Sequence, residues 1–203
     1  MDLDEEMLKW SQTVYGVAHA LHIAKSINFG NLNTVLESLR SAETWNSSTL
    51  GFESGLPVKE FAEGSIRLDG NSHDEVFARV SENIVRILFI NLAVIADESL
   101  GYLIEQLGAP DVNYLINKVE WAKARIDQRA HWAANGMLEM VAIRNALVHN
   151  DARWNNNSVA ILKKAGIQEV DSDIELSLSF GDLFRYRRAL RTLIGELRKQ
   201  TTL

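Results

Sequence analysis

The stretch IVRILFINLAVIA, residues 84–96, is the most apolar segment of the chain and decides the class of fold. It contains Arg86 and Asn91 and is too short to span a membrane, since a transmembrane helix needs about 20 predominantly apolar residues. Its apolar side chains lie almost all round a helix, which is typical of a helix packed on several sides. The stretch therefore predicts the centre of a buried core helix over residues 72–108.

Helical periodicity continues on both sides of this core helix. Apolar residues recur every three to four positions, and only two prolines interrupt the chain. The sequence therefore predicts an all-α helical bundle. The further predicted helices span residues 4–28, 34–45, 111–125, 127–150, 159–166 and 183–199.

Two segments depart from the helical pattern. Residues 46–72 contain four glycines and one of the two prolines without a sustained period, which predicts a long irregular insertion with a short strand near residues 65–68. Residues 173–179, DIELSLS, alternate polar and apolar side chains and predict at most a short strand. The length of 203 residues suits one large domain, so we predict a single domain over residues 1–203.

The absence of cysteine limits both the chemistry and the compartment. It excludes disulfides, thiolate metal sites and cysteine nucleophiles, and it is compatible with a reducing cytoplasm. The N-terminus, MDLDEEMLKW, is acidic, and no basic and apolar leader follows it. We therefore expect a cytoplasmic protein that does not enter a membrane.

The net charge of −6 argues against a general nucleic-acid coat, but the charge is unevenly distributed. Residues 1–120 hold 8 Lys+Arg against 18 Asp+Glu, a balance of −10, and residues 121–203 hold 13 against 9, a balance of +4. A basic face can gather phosphates, although a solvated helix surface is the commoner reason for such a run. The C-terminal basic cluster consists of Arg185, Arg187, Arg188, Arg191, Arg198 and Lys199.

Polar residues interrupt the apolar side of a predicted helix in the sequence RNALVH, residues 144–149. At about 100° per residue, Arg144 falls in the middle of the apolar stripe, and burying its guanidinium costs several kcal/mol unless a carboxylate or a phosphate meets it. Asn145 and His149 are four residues apart and share one flank of the stripe. The stripe consists of Met137, Met140, Val141, Leu147 and Val148.

Two explanations of Arg144 remain open. In the first, its guanidinium pairs with Asp97 or Glu98 of the core helix, and the chain is a purely structural helical protein in which His149 caps a helix end. In the second, Arg144 is a fixed cation for a phosphate, and His149 is a group that titrates near neutrality. A helix face that bears both groups can also meet its own copy across a two-fold axis.

The segment IRNALVHND, residues 143–151, resembles the signature of the HEPN superfamily, whose RNase members carry Arg, then a polar residue, then His. Arg144, Asn145 and His149 fit this pattern with four residues between Arg and His. The setting agrees with the resemblance, because the segment lies late in a long helix, after another long apolar helix and before a turn, a short strand and a final helix.

The resemblance implies an all-α domain that forms a homodimer in which two Arg/His pairs line one cleft. In catalytic members this cleft cleaves RNA without a metal or cofactor and leaves a 2′,3′-cyclic phosphate and a 5′-hydroxyl. By carry-over, His149 would act as general base or acid on the ribose 2′-hydroxyl and the leaving oxygen. Arg144 would hold the scissile phosphate, and Asn145 would orient the phosphate or His149.

The resemblance covers roughly residues 72–200, and we expect the helices within residues 4–45 and the insertion 46–72 to pack on that portion. Some toxin members carry a tyrosine two positions after the histidine, which their antitoxins modify. Asp151 occupies that position here, so this route of regulation is not expected. The superfamily leaves two alternatives: a toxin or defence ribonuclease, with an antitoxin or other protein as partner, or a non-catalytic dimerisation module that binds a nucleotide, RNA or a protein.

Three further residues are candidates for substrate binding. Trp154 can stack on a base beside Arg153, and His131 precedes the motif on the same helix. Each also suits a structural role as a partly buried or bundle-closing side chain. His19 and His22 have a spacing that metal sites use, but no third or fourth ligand is evident near them. No metal site is therefore predicted.

Overall fold

The computed structural model describes residues 3–26, 73–109, 111–150, 152–168, 170 and 174–201. Over this part of the chain the protein is all-α, as predicted, with six α-helices and no strand. A 3₁₀ turn, Gln128–Ala130, is also present. The helices are α1 (Leu3–Ser26), α2 (His73–Gln106), α3 (Leu115–Lys123), α4 (His131–His149), α5 (Asn156–Lys164) and α6 (Phe180–Thr201).

The chain divides into two compact units. The first contains residues 1–18 and 81–203, and the second contains residues 19–80. The predicted helix 34–45 and the predicted insertion 46–72 with its strand lie outside the described residues, and the single domain stays a prediction. The core and the site described below belong to the first unit.

Helix α2 supplies the centre of the core, as the apolar stretch predicts. Phe89, Leu92 and Leu100 are completely buried, and a fully buried side chain of this size contributes about 1.5–3 kcal/mol. Among the described helices, only this one is long and apolar enough to cross a membrane, but 56% of its most apolar window is buried within the protein. That burial is what the core helix of a soluble protein shows.

One side of α2 carries exposed apolar residues. Ile87 is 65% exposed and Val94 is 48% exposed, and Tyr102 continues the same side of the helix. The prediction of a helix packed almost all round therefore holds for most of the circumference of α2, but not for this apolar side.

Helices α4 and α6 approach each other closely because small residues meet at their contact. A Cβ atom placed on Gly136 would lie 3.2 Å from the Cβ of Ala189. The rings of Phe89 and Tyr186 then join α2 to α6 in a T-shaped contact with centroids 5.3 Å apart. Helix α1 is anchored on α2 through the indole of Trp10, which donates to the Leu88 carbonyl at 3.2 Å.

Two helix boundaries differ from the predictions. Helix α3 begins at Leu115 rather than at residue 111, because Tyr114 has φ 63° and ψ 136°, which is not a helical conformation. The helix predicted from residue 127 is divided, since a separate 3₁₀ turn comes first and α4 begins at His131.

The alternating segment before α6 does not form a strand. Its backbone makes one isolated antiparallel bridge, between Arg153 and Glu175, because the segment that pairs with it is short and leads directly into α5. Leu176 and Leu178 are buried while the residues beside them are exposed. The alternation therefore reflects burial of every second side chain of an extended segment rather than a sheet.

Candidate functional site

Arg144 lies in an open pocket of about 370 Å³ between α2, the start of α3 and α4. The residue is partly buried, so its charge is neither fully solvated nor enclosed. We call this cavity the Arg144 pocket. It is lined by Ala93, Val94, Asp97, Glu98, Tyr114, Leu115, Ile116, Val141, Arg144 and Asn145.

The guanidinium of Arg144 has no carboxylate partner among the described residues. It donates to the side-chain oxygen of Asn145 at 3.3 Å. Asp97 is instead bound by Lys118, with 2.7 Å between the carboxylate oxygen and the ammonium nitrogen. Glu98 lines the same pocket but forms no ion pair with Arg144. The explanation in which one of these two carboxylates neutralises Arg144 is therefore wrong for this structure.

The apolar stripe of α4 emerges from the core in the last turns of the helix, where Arg144 lies. Met140 and Val141 are buried, Leu147 is partly buried, and Val148 is 44% exposed. Arg144 therefore lies where the stripe reaches solvent. Full desolvation of the guanidinium, which would cost several kcal/mol, does not occur.

His149 is exposed because α4 ends immediately after it. The carbonyl of Ala146 accepts the N–H of Asn150 at 3.1 Å and the N–H of Ala152 at 3.2 Å. Ala152, two positions after the C-cap residue Asn150, has φ 60°, and its bond back to Ala146 helps to close the end of the helix. The imidazole is thus presented at the C-terminal end of α4.

Asn145 contacts one ionisable group of the motif and shares a side of the helix with the other. It accepts a hydrogen bond from Arg144, and it lies one turn before His149 on the same side of the helix. Arg144 and His149 themselves point about 140° apart around α4, with Cα atoms roughly 9 Å apart by helix geometry. Within one chain, the cation therefore lines the pocket while the imidazole lies outside it.

The other predicted substrate-binding residues do not line the Arg144 pocket. Trp154 packs partly buried against the core, and its backbone N–H donates to the Ile174 carbonyl at 3.3 Å. Arg153 is exposed beside it at the end of α4. His131 is the first residue of α4, about 20 Å from Arg144 along the helix axis. The structure thus separates His131 from the motif and gives Trp154 a bundle-closing position.

A second cavity, of about 290 Å³, lies nearer the N-terminal end of α4, and we call it the Tyr186 pocket. Arg185 in this pocket binds Glu139 at 3.0 Å and also donates to the Tyr186 hydroxyl. Burial raises the pKa of Tyr186 well above its usual range, and the nearby Glu139 carboxylate raises it further. The pocket is lined by Trp132, Asn135, Gly136, Glu139, Ala165, Ile167, Arg185, Tyr186 and Ala189.

Much of the C-terminal basic cluster is engaged within the chain. Arg185 pairs with Glu139, Arg198 with Asp4 and Lys199 with Glu196, and the guanidinium of Arg188 lies over the Trp132 ring. These contacts favour the explanation of the cluster as a helix surface over its explanation as a phosphate-gathering face.

Sequence reasoning missed Tyr114. The residue is 76% exposed and lines the Arg144 pocket. The signal that could have identified it is an aromatic residue at the end of a polar segment between two helices, DVNY at residues 111–114. Its position near Arg144 depends on how α3 packs on α4, which local sequence does not show.

No group of three His, Asp or Glu side chains in the described part of the chain could hold a metal ion. His19 and His22 are both exposed on α1. The chain was compared with protein-family models, curated proteins and solved structures, and no significant match was found. The functional interpretation therefore rests on the residues of the site.

Proposed function

We propose that the protein is a metal-independent endoribonuclease of the HEPN type that acts as a homodimer. Arg144 holds the scissile phosphate, His149 transfers protons, and Asn145 orients one or both of these groups. The proposal joins the resemblance of RNALVH to the HEPN signature with the geometry of the Arg144 pocket. A role as a toxin or defence protein of the cytoplasm, with an antitoxin or other protein as partner, belongs to the same proposal.

The observation that carries the proposal is the state of Arg144. Its guanidinium lines an open pocket and has a neutral amide as its hydrogen-bond partner. The neighbouring carboxylate of Asp97 is already bound by Lys118. A partly buried cation without an internal carboxylate is suited to an anion from outside the chain, and a guanidinium binds phosphate oxygens with two parallel hydrogen bonds.

The relative position of Arg144 and His149 supports a dimer rather than a monomer. Because the two side chains point about 140° apart on α4, one chain is poorly arranged to bring both to the same phosphate. A second copy placed across a two-fold axis can supply the missing group. Exposed apolar side chains suited to such a contact lie on the two helices that line the pocket: Ile87, Val94 and Tyr102 on α2, and Val148 on α4.

The reaction needs proton transfer and stabilisation of charge on phosphorus. One His149 takes the proton of the ribose 2′-hydroxyl, and the 2′-oxygen attacks the phosphorus. The bond from phosphorus to the 5′-oxygen breaks, and the leaving oxygen receives a proton from His149 of the partner subunit. Arg144 stabilises the charge that grows on the non-bridging oxygens. The products are a 2′,3′-cyclic phosphate and a 5′-hydroxyl.

The test is cleavage of single-stranded RNA by the purified protein in EDTA, with the products analysed for cyclic phosphate. We expect His149→Ala to lower the rate by about 10²–10⁴-fold and Arg144→Ala by about 10²–10³-fold. Arg129→Ala is the matched control, because the Arg129 side chain is 95% exposed on the 3₁₀ turn. Light scattering should give the mass of a dimer.

Two results would contradict the proposal. Cleavage that is unchanged in both His149→Ala and Arg144→Ala would remove these residues from the reaction. A protein that binds RNA but never yields a cyclic phosphate would instead favour the second candidate function, a non-catalytic module that binds a nucleotide, RNA or a protein. One observation favours that candidate, namely that the Arg144 pocket of a single chain is not lined by His149.

A further inference from the structure

Tyr114 is the most exposed large apolar side chain among the described residues, and it lies at the Arg144 pocket. It occupies the position just before α3, between the end of α2 and the first turn of that helix. Val94 and Ile116 line the same pocket with apolar surface. An aromatic ring, an apolar surface and a guanidinium are therefore gathered in one cavity.

The backbone of Tyr114 adopts a conformation that costs free energy. Its φ of 63° and ψ of 136° lie in a region that only glycine adopts readily. The side chain makes no helix-capping hydrogen bond, and a tyrosine that is 76% exposed gains little from packing within the chain. The folded chain thus holds a tyrosine where a glycine would be less strained, and it presents the ring to solvent.

The groups around Tyr114 match the parts of a nucleotide. A base stacks on an aromatic ring with little dependence on its identity, and the guanidinium of Arg144 suits the adjacent phosphate. Asp97 does not repel that phosphate strongly, because Lys118 neutralises it. The carboxylate of Glu98 accepts hydrogen bonds and so suits the exocyclic amino group of a base rather than a phosphate.

We infer that Tyr114 is a base-stacking residue that binds one nucleotide of single-stranded RNA beside the phosphate held by Arg144. This inference rests on the proposed function, and it identifies the substrate as unpaired RNA, because a base within a duplex has no free face to stack on the ring. It also assigns to Tyr114 the stacking role that the sequence analysis gave to Trp154, which is partly buried against the core.

The experiment measures binding of a fluorescein-labelled single-stranded RNA oligonucleotide to the full-length protein in a His149→Ala background, which prevents cleavage. We expect Tyr114→Gly to weaken binding by about 5- to 150-fold, as for the loss of one stacked base. Tyr114→Phe keeps the ring and should bind within about threefold of the parent. The matched control is Tyr15→Ala, because Tyr15 is also exposed but lies on α1 against Phe184.

Thermal unfolding separates loss of the ring from damage to the fold. Tyr114→Gly relieves the strained backbone, so its Tm should rise by roughly 2–4 °C while RNA binding falls. A variant that binds less RNA and is also less stable would contradict the inference. Removing single bases from the RNA provides the complementary test, since one abasic position should weaken binding to the parent but have little further effect on Tyr114→Gly.

The outcomes distinguish this inference from the proposed function. Binding that is weakened by Arg144→Ala but unchanged in Tyr114→Gly would overturn the stacking role alone. Equal binding of single-stranded and fully paired RNA would also overturn the stacking role alone. If the parent protein binds neither RNA, both the proposed function and this inference are wrong.

Discussion

The two pockets along α4 contain the same kinds of side chain and use them differently. Each has an arginine, a carboxylate and a tyrosine. In the Tyr186 pocket, Arg185 binds Glu139 and the tyrosine hydroxyl. In the Arg144 pocket, the guanidinium has Asn145 as its partner, and the tyrosine ring is exposed.

Lys118 accounts for part of the difference between the pockets. Its ammonium binds both the side chain and the backbone carbonyl of Asp97, so one of the two carboxylates that line the Arg144 pocket is already engaged, while the other, Glu98, forms no ion pair with Arg144. A cation that is paired inside the chain contributes to the stability of the fold. A cation whose neighbouring carboxylate is taken by another residue remains suited to an external anion. The type of residue alone therefore does not separate structure from function, but its partners do.

Removing the two arginines should have opposite consequences, and this is the strongest test of the comparison. Arg144→Ala should lower RNA cleavage by about 10²–10³-fold and change the free energy of unfolding by less than about 0.5 kcal/mol. Arg185→Ala should leave cleavage unchanged but lower the free energy of unfolding by about 1–2 kcal/mol, because the Glu139 side chain, 19% exposed, loses its partner. Urea denaturation and cleavage assays on both variants check this, and a reversed pattern would show that the pockets have been assigned the wrong way round.

The Tyr186 pocket should also make the stability of the fold depend on pH in alkaline solution. Burial raises the pKa of Tyr186 in the folded protein, so above about pH 10 the unfolded chain loses the phenolic proton while the folded chain keeps it. The stability that the neutral Tyr186 contributes should therefore be fully present below about pH 10. Above that pH, the free energy of unfolding should fall by up to about 1.4 kcal/mol per pH unit. Tyr186→Phe should show a shallower decline in Tm between pH 9 and 11, and parallel curves would contradict the assignment.

The smallest expected difference concerns the backbone beside each pocket. Ala152, which follows the end of α4 near His149, has φ 60°, whereas Ala165, beside the Tyr186 pocket, has φ −76°. Ala152→Gly should raise the free energy of unfolding by about 1 kcal/mol, or Tm by about 2–4 °C, because it relieves a left-handed alanine. Ala165→Gly should lower the free energy of unfolding by about 0.5–1 kcal/mol. Two shifts of the same sign in thermal unfolding would show that the left-handed conformation stores no strain.

The fold class was predictable from local sequence, and the helix boundaries were less so. The apolar stretch at residues 84–96 predicts a core helix, and Phe89 and Leu92 are completely buried in it. The start of α3 was misplaced because the conformation of Tyr114 is not implied by its residue type. The alternation before α6 predicts a short strand, but the segment makes only one isolated bridge, because forming a strand also depends on the length of the partner segment.

The candidate site was predictable in part. The identity of Arg144, Asn145 and His149 and their order around one helix follow from spacing alone. Their environment does not, because Asp97 and Tyr114 reach the pocket from segments that are distant along the chain, and Asp97 is bound there by Lys118. His131 shows that two residues of one helix need not belong to one site, since it shares α4 with the motif but lies about 20 Å from it.

Periodicity and residue chemistry are properties of short segments. They are enough to predict the all-α class and a helix end that carries an arginine, an asparagine and a histidine. The packing of α2, α3 and α4 decides which of these groups is satisfied within the chain. Lys118 reaches Asp97 across 21 positions of sequence, and Tyr114, just before α3, lines the same pocket as Arg144. Pairing of charges depends on distances between helices, and those distances are set by the packed core.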